Sequence, residues 1–205
     1  MIAIADYGVG NIFSLTSSFC FIGADVFLTP DPDKLKKADK IILPGVGAFE
    51  DAAKKLRASG MWDAILEETA KGKPLLGICL GMQMLFEKSY EYGEHPGLGL
   101  VKGCISPIED DLKHSLKIPH IGWNSLSFPK DKPKSKLYRY INEGDFVYFV
   151  HSFYGKDCTE STTATTEYGI ELTASVENGC VYGTQFHPEK SGKTGLAILR
   201  GFTEL

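Results

Sequence analysis

The 205-residue chain is long enough for one domain with a hydrophobic core. Hydrophobic residues make up 43% and charged residues 23%, an ordinary globular composition that argues against long disordered segments. The net charge of -4 provides no basic surface for nucleic acid, and no Lys/Arg-rich amphipathic segment indicates a membrane surface. We therefore expect small molecules or proteins as partners, and neither nucleic acid nor membrane.

The cysteines are five in number, without CxxC spacing: Cys20, Cys79, Cys104, Cys158 and Cys180. An odd count with this spacing indicates neither a disulfide framework nor a zinc or other metal site. The first apolar stretch is too short to span a bilayer, lacks a basic segment before it and contains Asp6. We therefore expect a cytoplasmic protein without an export signal.

The first half of the chain alternates apolar strands with helices, the pattern of a parallel sheet with crossover helices. The predicted strands are nearly continuous apolar runs, as in strands covered on both faces. In chain order we predict strand IAIADY, helix NIFSLTSSFCFIGA, strand DVFLT, short capped helix DPDKLKKA, strand KIILPG, helical segments in AFEDAAKKLRASGMWDAILEETAKG broken near Gly60, strand PLLGIC and helix LGMQMLFEKS.

The second half, from about Gly99, is richer in Thr, Tyr, Phe and Gly and is predicted to add hairpins and edge strands to the same sheet. The predicted elements are strands LVKGCISPI, FVYFVHSFY, STTATTEY, ELTASVENG and VYGTQF, and a closing helix GKTGLAILRGFTEL. The segment FPKDKPKSKLYRYINEGD is the most loop-like, but no linker divides the chain. We therefore predict a single α/β domain over residues 1–205, with a mostly parallel central sheet flanked by helices and added antiparallel strands.

Cys79 lies between Gly77 and Gly81 where a predicted strand passes directly into a helix, in GKPLLGICLGMQMLFE. A G-x-nucleophile-x-G pattern in this context is typical of a nucleophile elbow, in which a side chain at either glycine would collide with neighbouring backbone. The helix N-terminus would also favour a thiolate. Because most free cysteines are small buried hydrophobes, a partner base must decide between the two roles.

The motif YGTQFHPEKS supplies a candidate base at the end of a predicted strand. Pro188 favours extended geometry at His187, so the side chains of His187 and Glu189 can lie on the same side of the chain. A thiolate, a base and an orienting carboxylate form the generalised triad of nucleophilic acyl transfer. Alone, HPE would more often be a surface histidine before a turn; together with the Cys79 elbow it favours catalysis.

The segment ILPGVGAF is a candidate for the oxyanion site that acyl transfer requires. Gly45 and Gly47 follow a predicted strand at the expected carboxyl edge of the sheet, where their backbone can approach a ligand closely. We predict the N–H groups of Gly47 and Leu80 as the oxyanion donors. A phosphate loop is disfavoured because no Lys-Ser/Thr follows, and we expect no cofactor.

Taken together, these motifs resemble the class I (triad) glutamine amidotransferases. PGVGAF, GICLGMQMLFE and QFHPEKS are similar, in order, to that family's oxyanion strand, nucleophile elbow and His-x-Glu motif. The segments DYGVGNIFS, PHIGWN and YFVHSFY are similar more particularly to the glutaminase subunits of imidazole glycerol phosphate synthase. The resemblance covers essentially the whole chain.

The resemblance implies that Cys79 attacks the side-chain amide of glutamine, that His187 protonates the departing ammonia, and that Glu189 holds His187. A γ-glutamyl thioester is then hydrolysed to glutamate, and ammonia passes to a (β/α)8-barrel cyclase subunit in a one-to-one complex. The implied glutamine-binding residues are Gly45, Gln83, Glu91, Ser152 and Phe153. The implied positions near the docking face of the cyclase are Trp123, Tyr148 and Lys190.

Three other functions remain open at this point. The chain could be the glutaminase of another synthase, such as that of anthranilate, aminodeoxychorismate or pyridoxal phosphate synthesis, and pairing it with candidate synthases would separate these. It could be a non-catalytic binding module of the same fold, although such a module would lack a triad residue and none is missing. An unrelated cysteine hydrolase or peptidase would act on peptides without a partner.

Overall fold

The computed structural model describes residues 1–205. Its strands are β1 (Ile2–Ala5), β2 (Val26–Thr29), β3 (Lys40–Gly45), β4 (Leu75–Cys79), β5 (Phe86–Ser89), β6 (His95–Pro96), β7 (Val101–Pro107), β8 (His120–Ser125), β9 (Phe146–His151), β10 (Phe153–Lys156), β11 (Thr162–Glu167), β12 (Glu171–Asn178) and β13 (Val181–Thr184). Its helices are α1 (Ile12–Phe21), α2 (Pro32–Lys36), α3 (Phe49–Ala58), α4 (Met61–Ala70), α5 (Leu80–Gln83) and α6 (Gly192–Thr203), and 3-10 turns cover Lys136–Tyr138 and Pro188–Lys190.

A seven-stranded sheet in the order β11-β12-β13-β4-β3-β1-β2 forms the centre of the protein. Its strands from β13 to β2 are parallel, and β11 and β12 extend it antiparallel from β13. Gly45 pairs with Cys79 in the β3–β4 register, and Thr184 pairs with Ile78 in the β13–β4 register. The carboxyl ends of β3, β4 and β13 therefore meet at one edge of the sheet. Cys79 lies at this edge, where the sequence predicted a strand to end.

The two faces of this sheet carry separate hydrophobic clusters, because successive side chains of a strand point to opposite faces. Ile41 and Leu75 belong to a cluster of 27 buried residues, whereas their neighbours Ile42 and Leu76 belong to one of 21. Helices α3 and α4 contribute to the first cluster, and α1 and α6 contribute to the second. None of the helices has the length and apolarity that crossing a membrane would require.

Two smaller sheets correct the prediction that all later strands extend the central sheet. That prediction holds for β11, β12 and β13, but β7 lies in a four-stranded sheet of order β10-β7-β5-β6. The predicted strand FVYFVHSFY is divided at Ser152: β9 pairs antiparallel with β8, and β10 pairs antiparallel with β7. The segment PHIGWN forms most of β8, and β9 pairs with β8 instead of with a strand of the central sheet.

The predicted helix LGMQMLFEKS is wrong beyond its first turn. Helix α5 ends at Gln83, and the chain then forms β5, which pairs in parallel with β7. The carbonyl of Met84 accepts a hydrogen bond from Leu98, and the carbonyl of Leu85 accepts bonds from the N–H groups of Leu100 and Val101. These long-range hydrogen bonds use the acceptors that a continuing helix would need.

Candidate active site

Cys79 lies at the junction of β4 and α5 with φ 55° and ψ -113°, a left-handed conformation that side chains rarely adopt. Such backbone costs about 1–3 kcal/mol and persists only where surrounding structure enforces it. A Cβ on Gly81 would lie 1.9 Å from the carbonyl oxygen of Leu43, and one on Gly77 would lie 2.6 Å from the carbonyl oxygen of Gly81. The glycines are therefore required for β3, β4 and α5 to pack closely at this turn.

Helix α5 is shorter than the sequence predicted, which weakens its effect on Cys79. The sequence predicted that the unpaired N–H groups and the dipole at the start of helix LGMQMLFEKS would favour a thiolate, whereas α5 has only four residues. The dipole of a four-residue helix is weak, so the reactivity of Cys79 depends mainly on neighbouring side chains.

His187 is such a neighbour, because β13 runs parallel to β4 and the chain continues past the carboxyl end of β13 beside Cys79. Nδ1 of His187 lies 2.8 Å from Oε1 of Glu189, and both side chains are only 3% exposed. Since Nδ1 faces Glu189, Nε2 is the nitrogen available to donate to the Cys79 sulfur. The structure thus brings all three predicted triad residues together.

The electrostatics of this group favour a protonated imidazole. Burial alone would lower the pKa of His187, but its hydrogen bonds to Cys79 and Glu189, together with their charges, raise that pKa to about 9. The second carboxylate oxygen of Glu189, Oε2, is buried without a hydrogen-bond partner. Its negative charge is therefore opposed chiefly by His187, which strengthens the preference for imidazolium.

A cavity of about 330 Å³ opens onto Cys79, which is itself 8% exposed. Eight predicted site residues line it: Gly47, Cys79, Leu80, Gln83, Glu91, Ser152, Phe153 and His187. Gly45 lies outside this lining, because it packs beneath the elbow, where an added Cβ would be 2.7 Å from the backbone nitrogen of Gly81. Its position indicates close packing of β3 against the elbow, and its contact with glutamine stays a prediction.

Two predicted glutamine-binding side chains already have protein partners. Nε2 of Gln83 donates to the carbonyl oxygen of Phe153 at 3.3 Å and to Oε1 of Gln185 at 3.0 Å. Oε2 of Glu91 accepts a hydrogen bond from the backbone N–H of Phe49 at 2.6 Å, at the start of α3, and burial raises the pKa of Glu91. Oε1 of Gln83 and the second oxygen of Glu91 are the atoms left to face a ligand.

The predicted oxyanion loop is held by a hydrogen bond at Pro44, where it begins, and has open space around Gly47. The hydroxyl of buried Tyr7 donates a hydrogen bond of 2.6 Å to the carbonyl oxygen of Pro44. Burial, together with the charge of Cys79, raises the pKa of Tyr7, so its hydroxyl keeps its proton. Gly47 has φ +91°, and no atom lies within 4 Å of where its Cβ would be. No pattern in the sequence indicated this role for Tyr7.

Gln185 is a further site residue that the sequence analysis missed. It is fully buried, and its Nε2 lies 3.8 Å from the Cys79 sulfur while its Oε1 accepts from Gln83. The sequence contains a signal for this role, because Gln185 is a polar residue inside the apolar run VYGTQF and lies two positions before His187. Residues i and i+2 of an extended chain face the same side, so Gln185 and His187 can face the same site.

The three predicted interface residues lie together, outside the cavity lining. The rings of Trp123 and Tyr148 are 6.1 Å apart edge to face, and Nζ of Lys190 lies 6.0 Å from the Tyr148 ring centre. Trp123 is 55% exposed. The carbonyl of Tyr148 accepts the backbone N–H of His187 at 3.0 Å, so this aromatic group borders the triad.

Comparisons with known proteins match this chain to one family over nearly its whole length. The family model "Glutamine amidotransferase class-I" matches residues 3–204. Proteins named "Imidazole glycerol phosphate synthase subunit HisH" from Sulfurimonas denitrificans and Caldanaerobacter subterraneus subsp. tengcongensis are 47% and 48% identical to this chain, covering 100% of it and 98% of each relative.

Two solved structures share the fold at 18% sequence identity. One is described as a glutamine amidotransferase and the other as PurLQS from Thermotoga maritima, each with a TM-score of 0.75 over 99% of this chain and 97% of the other. Since the family model spans nearly the whole chain and full-length relatives are almost half identical to it, the chain belongs to the class-I glutamine amidotransferase family and, within it, to the HisH group.

Proposed function

We propose that this protein is the glutaminase subunit of imidazole glycerol phosphate synthase, which hydrolyses glutamine and supplies ammonia to a (β/α)8-barrel cyclase subunit. The observation that carries the proposal is the contact of Cys79, in left-handed backbone, with a buried His187 that is itself bound to Glu189. Similarity over the full length to proteins named as HisH subunits supports this synthase over the other ones considered. A cytoplasmic location stays a prediction.

The first half of the reaction uses Cys79 and His187. The Cys79 sulfur bonds to the amide carbon of the glutamine side chain, and the amide oxygen takes the electron pair of the broken π bond. When the carbonyl re-forms, the carbon–nitrogen bond breaks, and His187 transfers its Nε2 proton to the leaving nitrogen, which departs as ammonia. The raised pKa of His187, about 9, keeps that proton in place at neutral pH.

The second half releases glutamate from the thioester. His187, now neutral, accepts a proton from a water molecule as that water attacks the acyl carbon, and the carbon–sulfur bond then breaks. The thiolate and the imidazolium are restored together. Glu189 orients the ring throughout through Nδ1 and stabilises its positive charge.

The cavity suits a free amino acid. Its volume of about 330 Å³ lies at the small end of ligand pockets, which are roughly 300–1,000 Å³. In our proposal the backbone N–H groups of Gly47 and Leu80 bind the oxyanion, where one such donor contributes about 3–4 kcal/mol. Gln83, Glu91, Ser152 and Phe153 hold the rest of the glutamine molecule.

We also propose that Trp123, Tyr148 and Lys190 contact the cyclase. A large aromatic side chain that is more than half exposed, beside a cation and next to the active site, is a suitable interface anchor. A partner bound there would lie close to the site where ammonia is released.

The test is to assemble the protein with the cyclase subunit of a HisH relative and to measure product formation from glutamine and, separately, from ammonium salts. Cys79→Ala should abolish synthesis from glutamine and leave synthesis from ammonium salts intact. Cys20→Ala, at an exposed cysteine, is the matched control and should retain both activities. Glutamine turnover by Cys79→Ala would contradict the nucleophile assignment, and glutamine-dependent product with a different synthase alone would contradict the partner assignment.

A further inference from the structure

Two buried histidines that take no part in the proposed reaction face each other across the β8–β9 ribbon. His120 pairs with His151 in the register of this ribbon, and both side chains are buried. Nδ1 of His120 lies 3.0 Å from Nε2 of His151. The ring of His120 is stacked between Tyr168, with ring centres 4.1 Å apart, and Phe149, at 5.0 Å.

The hydrogen bonds of this pair have a fixed direction. Nδ1 of His151 lies 2.8 Å from the carbonyl oxygen of Phe153, which can only accept, so Nδ1 of His151 is the donor. Burial lowers the pKa of His151 to about 3 and that of His120 to about 4, so both rings are neutral at neutral pH. Nε2 of His151 is therefore an acceptor, and His120 donates to it through Nδ1.

This chain of hydrogen bonds leads into the glutamine cavity. The Phe153 carbonyl that accepts from His151 also accepts from Nε2 of Gln83. Gln83 in turn donates to Gln185, whose Nε2 lies 3.8 Å from the Cys79 sulfur. A single carbonyl thus joins the histidine pair to the side chains that surround the nucleophile.

The pair also lies where the chain leaves one sheet for another. Strand β9 ends at His151 and β10 begins at Phe153, so Ser152 is the connection between the ribbon and the four-stranded sheet. The carbonyl of Ser152 accepts the N–H of Ile108 at 2.9 Å, and His151 holds the next carbonyl. His151, Ser152 and Phe153 all line the cavity, so the position of this connection sets the shape of the cavity wall.

We propose that His151, oriented by His120, is a positioning residue for the glutamine pocket: it fixes the Phe153 carbonyl and, through that carbonyl, the side chain of Gln83. The proposal rests on the proposed glutaminase function. Loss of the His151 donor removes one of the two hydrogen bonds to the Phe153 carbonyl. We expect that carbonyl and the Gln83 side chain to shift, although Gln83 keeps its bond to Gln185, so glutamine binds more weakly. The triad itself is untouched, because neither histidine bonds to Cys79, His187 or Glu189.

The experiment compares His151→Leu, which removes the donor, with His151→Asn, whose side-chain amide can still donate to the Phe153 carbonyl. In the complex with the cyclase we expect the KM for glutamine of His151→Leu to rise about tenfold or more, with a smaller change in kcat, and that of His151→Asn to stay within about threefold of wild type. Synthesis from ammonium salts should be unchanged in both. His114→Leu, the same substitution at an exposed histidine, is the matched control.

A wild-type KM in folded His151→Leu, or equal losses in the Leu and Asn variants, would overturn the proposal. If His151→Leu does not fold, His120→Phe replaces it, because this variant keeps the stacked ring and removes only the donor to His151. A raised KM for glutamine in His120→Phe would support the proposal, and an unchanged KM would overturn it.

The wild-type complex distinguishes failure of the proposed function from failure of the positioning role. Wild-type failure to use glutamine contradicts the proposed function, whereas glutamine use that is insensitive to these variants contradicts only the positioning role.

Discussion

Replacing Gly81 by alanine should displace the nucleophile elbow. An alanine Cβ would lie 1.9 Å from the carbonyl oxygen of Leu43, whereas real Cβ atoms essentially never come within 3.0 Å of such a neighbour. Leu43 cannot yield easily, because it lies inside β3 and pairs with Gly77 of β4 in the centre of the buried sheet. The elbow must therefore move away from β3, taking Cys79 with it.

The size of the effect follows from that distance. Overpacking a core costs about 1–3 kcal/mol, and a clash between backbone atoms should place Gly81→Ala at the upper end, near 3 kcal/mol of unfolding free energy. A catalytic group misplaced by about 1 Å can lose about 100-fold in rate. We expect a loss of that order in kcat/KM for glutamine.

Urea unfolding and glutamine turnover in the complex with the cyclase measure the two quantities. Gly72→Ala is the control: Gly72 has φ +88° with no atom within 4 Å of its Cβ position, in an exposed turn. It should cost about 1–2 kcal/mol through backbone strain alone and leave kcat/KM unchanged. A Gly81→Ala variant with kcat/KM within threefold of wild type would refute the steric reasoning.

Three further substitutions test other parts of the site. Glu189→Gln should lower the pKa of His187 from its raised value of about 9, so the alkaline fall in kcat/KM should begin at lower pH; an unshifted profile would contradict this. Tyr7→Phe leaves the buried Pro44 carbonyl without its donor and should cost about 1–3 kcal/mol in urea unfolding, whereas unchanged stability would argue against that contact. Trp123→Ala should weaken cyclase binding about tenfold or more by calorimetry with an unchanged melting temperature, and wild-type affinity would exclude it as an anchor.

The parts of the fold that the sequence predicted well depend on local pattern. The apolar runs of β1, β3 and β4 identify strands covered on both faces, and they are buried in the central sheet. The two glycines around Cys79 indicate a tight turn because only a missing side chain allows such close backbone contact, and Gly81 against Leu43 shows that contact. His187 and Glu189 could be paired because their spacing of two residues places both side chains on one side of the chain.

The parts that it did not predict depend on contacts between distant segments. Residues 84–89 have a helical pattern, but hydrogen bonds from residues 98–101 end the helix and make Phe86–Ser89 a strand. Glu91 accepts from the first N–H of α3, 42 residues away, which its own neighbours in sequence do not reveal. Tyr7 reaches the site for the same reason, since its partner Pro44 lies in β3. Gln185 differs, because its spacing of two residues from His187 was a local signal.

The most direct measurement of the nucleophile assignment uses a glutamine analogue with an electrophilic carbon in place of the amide, followed by peptide mapping of the complex by mass spectrometry. The label should appear on Cys79, should be suppressed by added glutamine, and should leave exposed Cys20 unmodified. Inactivation with the label on another residue, or an unmodified Cys79 in fully inactivated enzyme, would contradict the central role of Cys79.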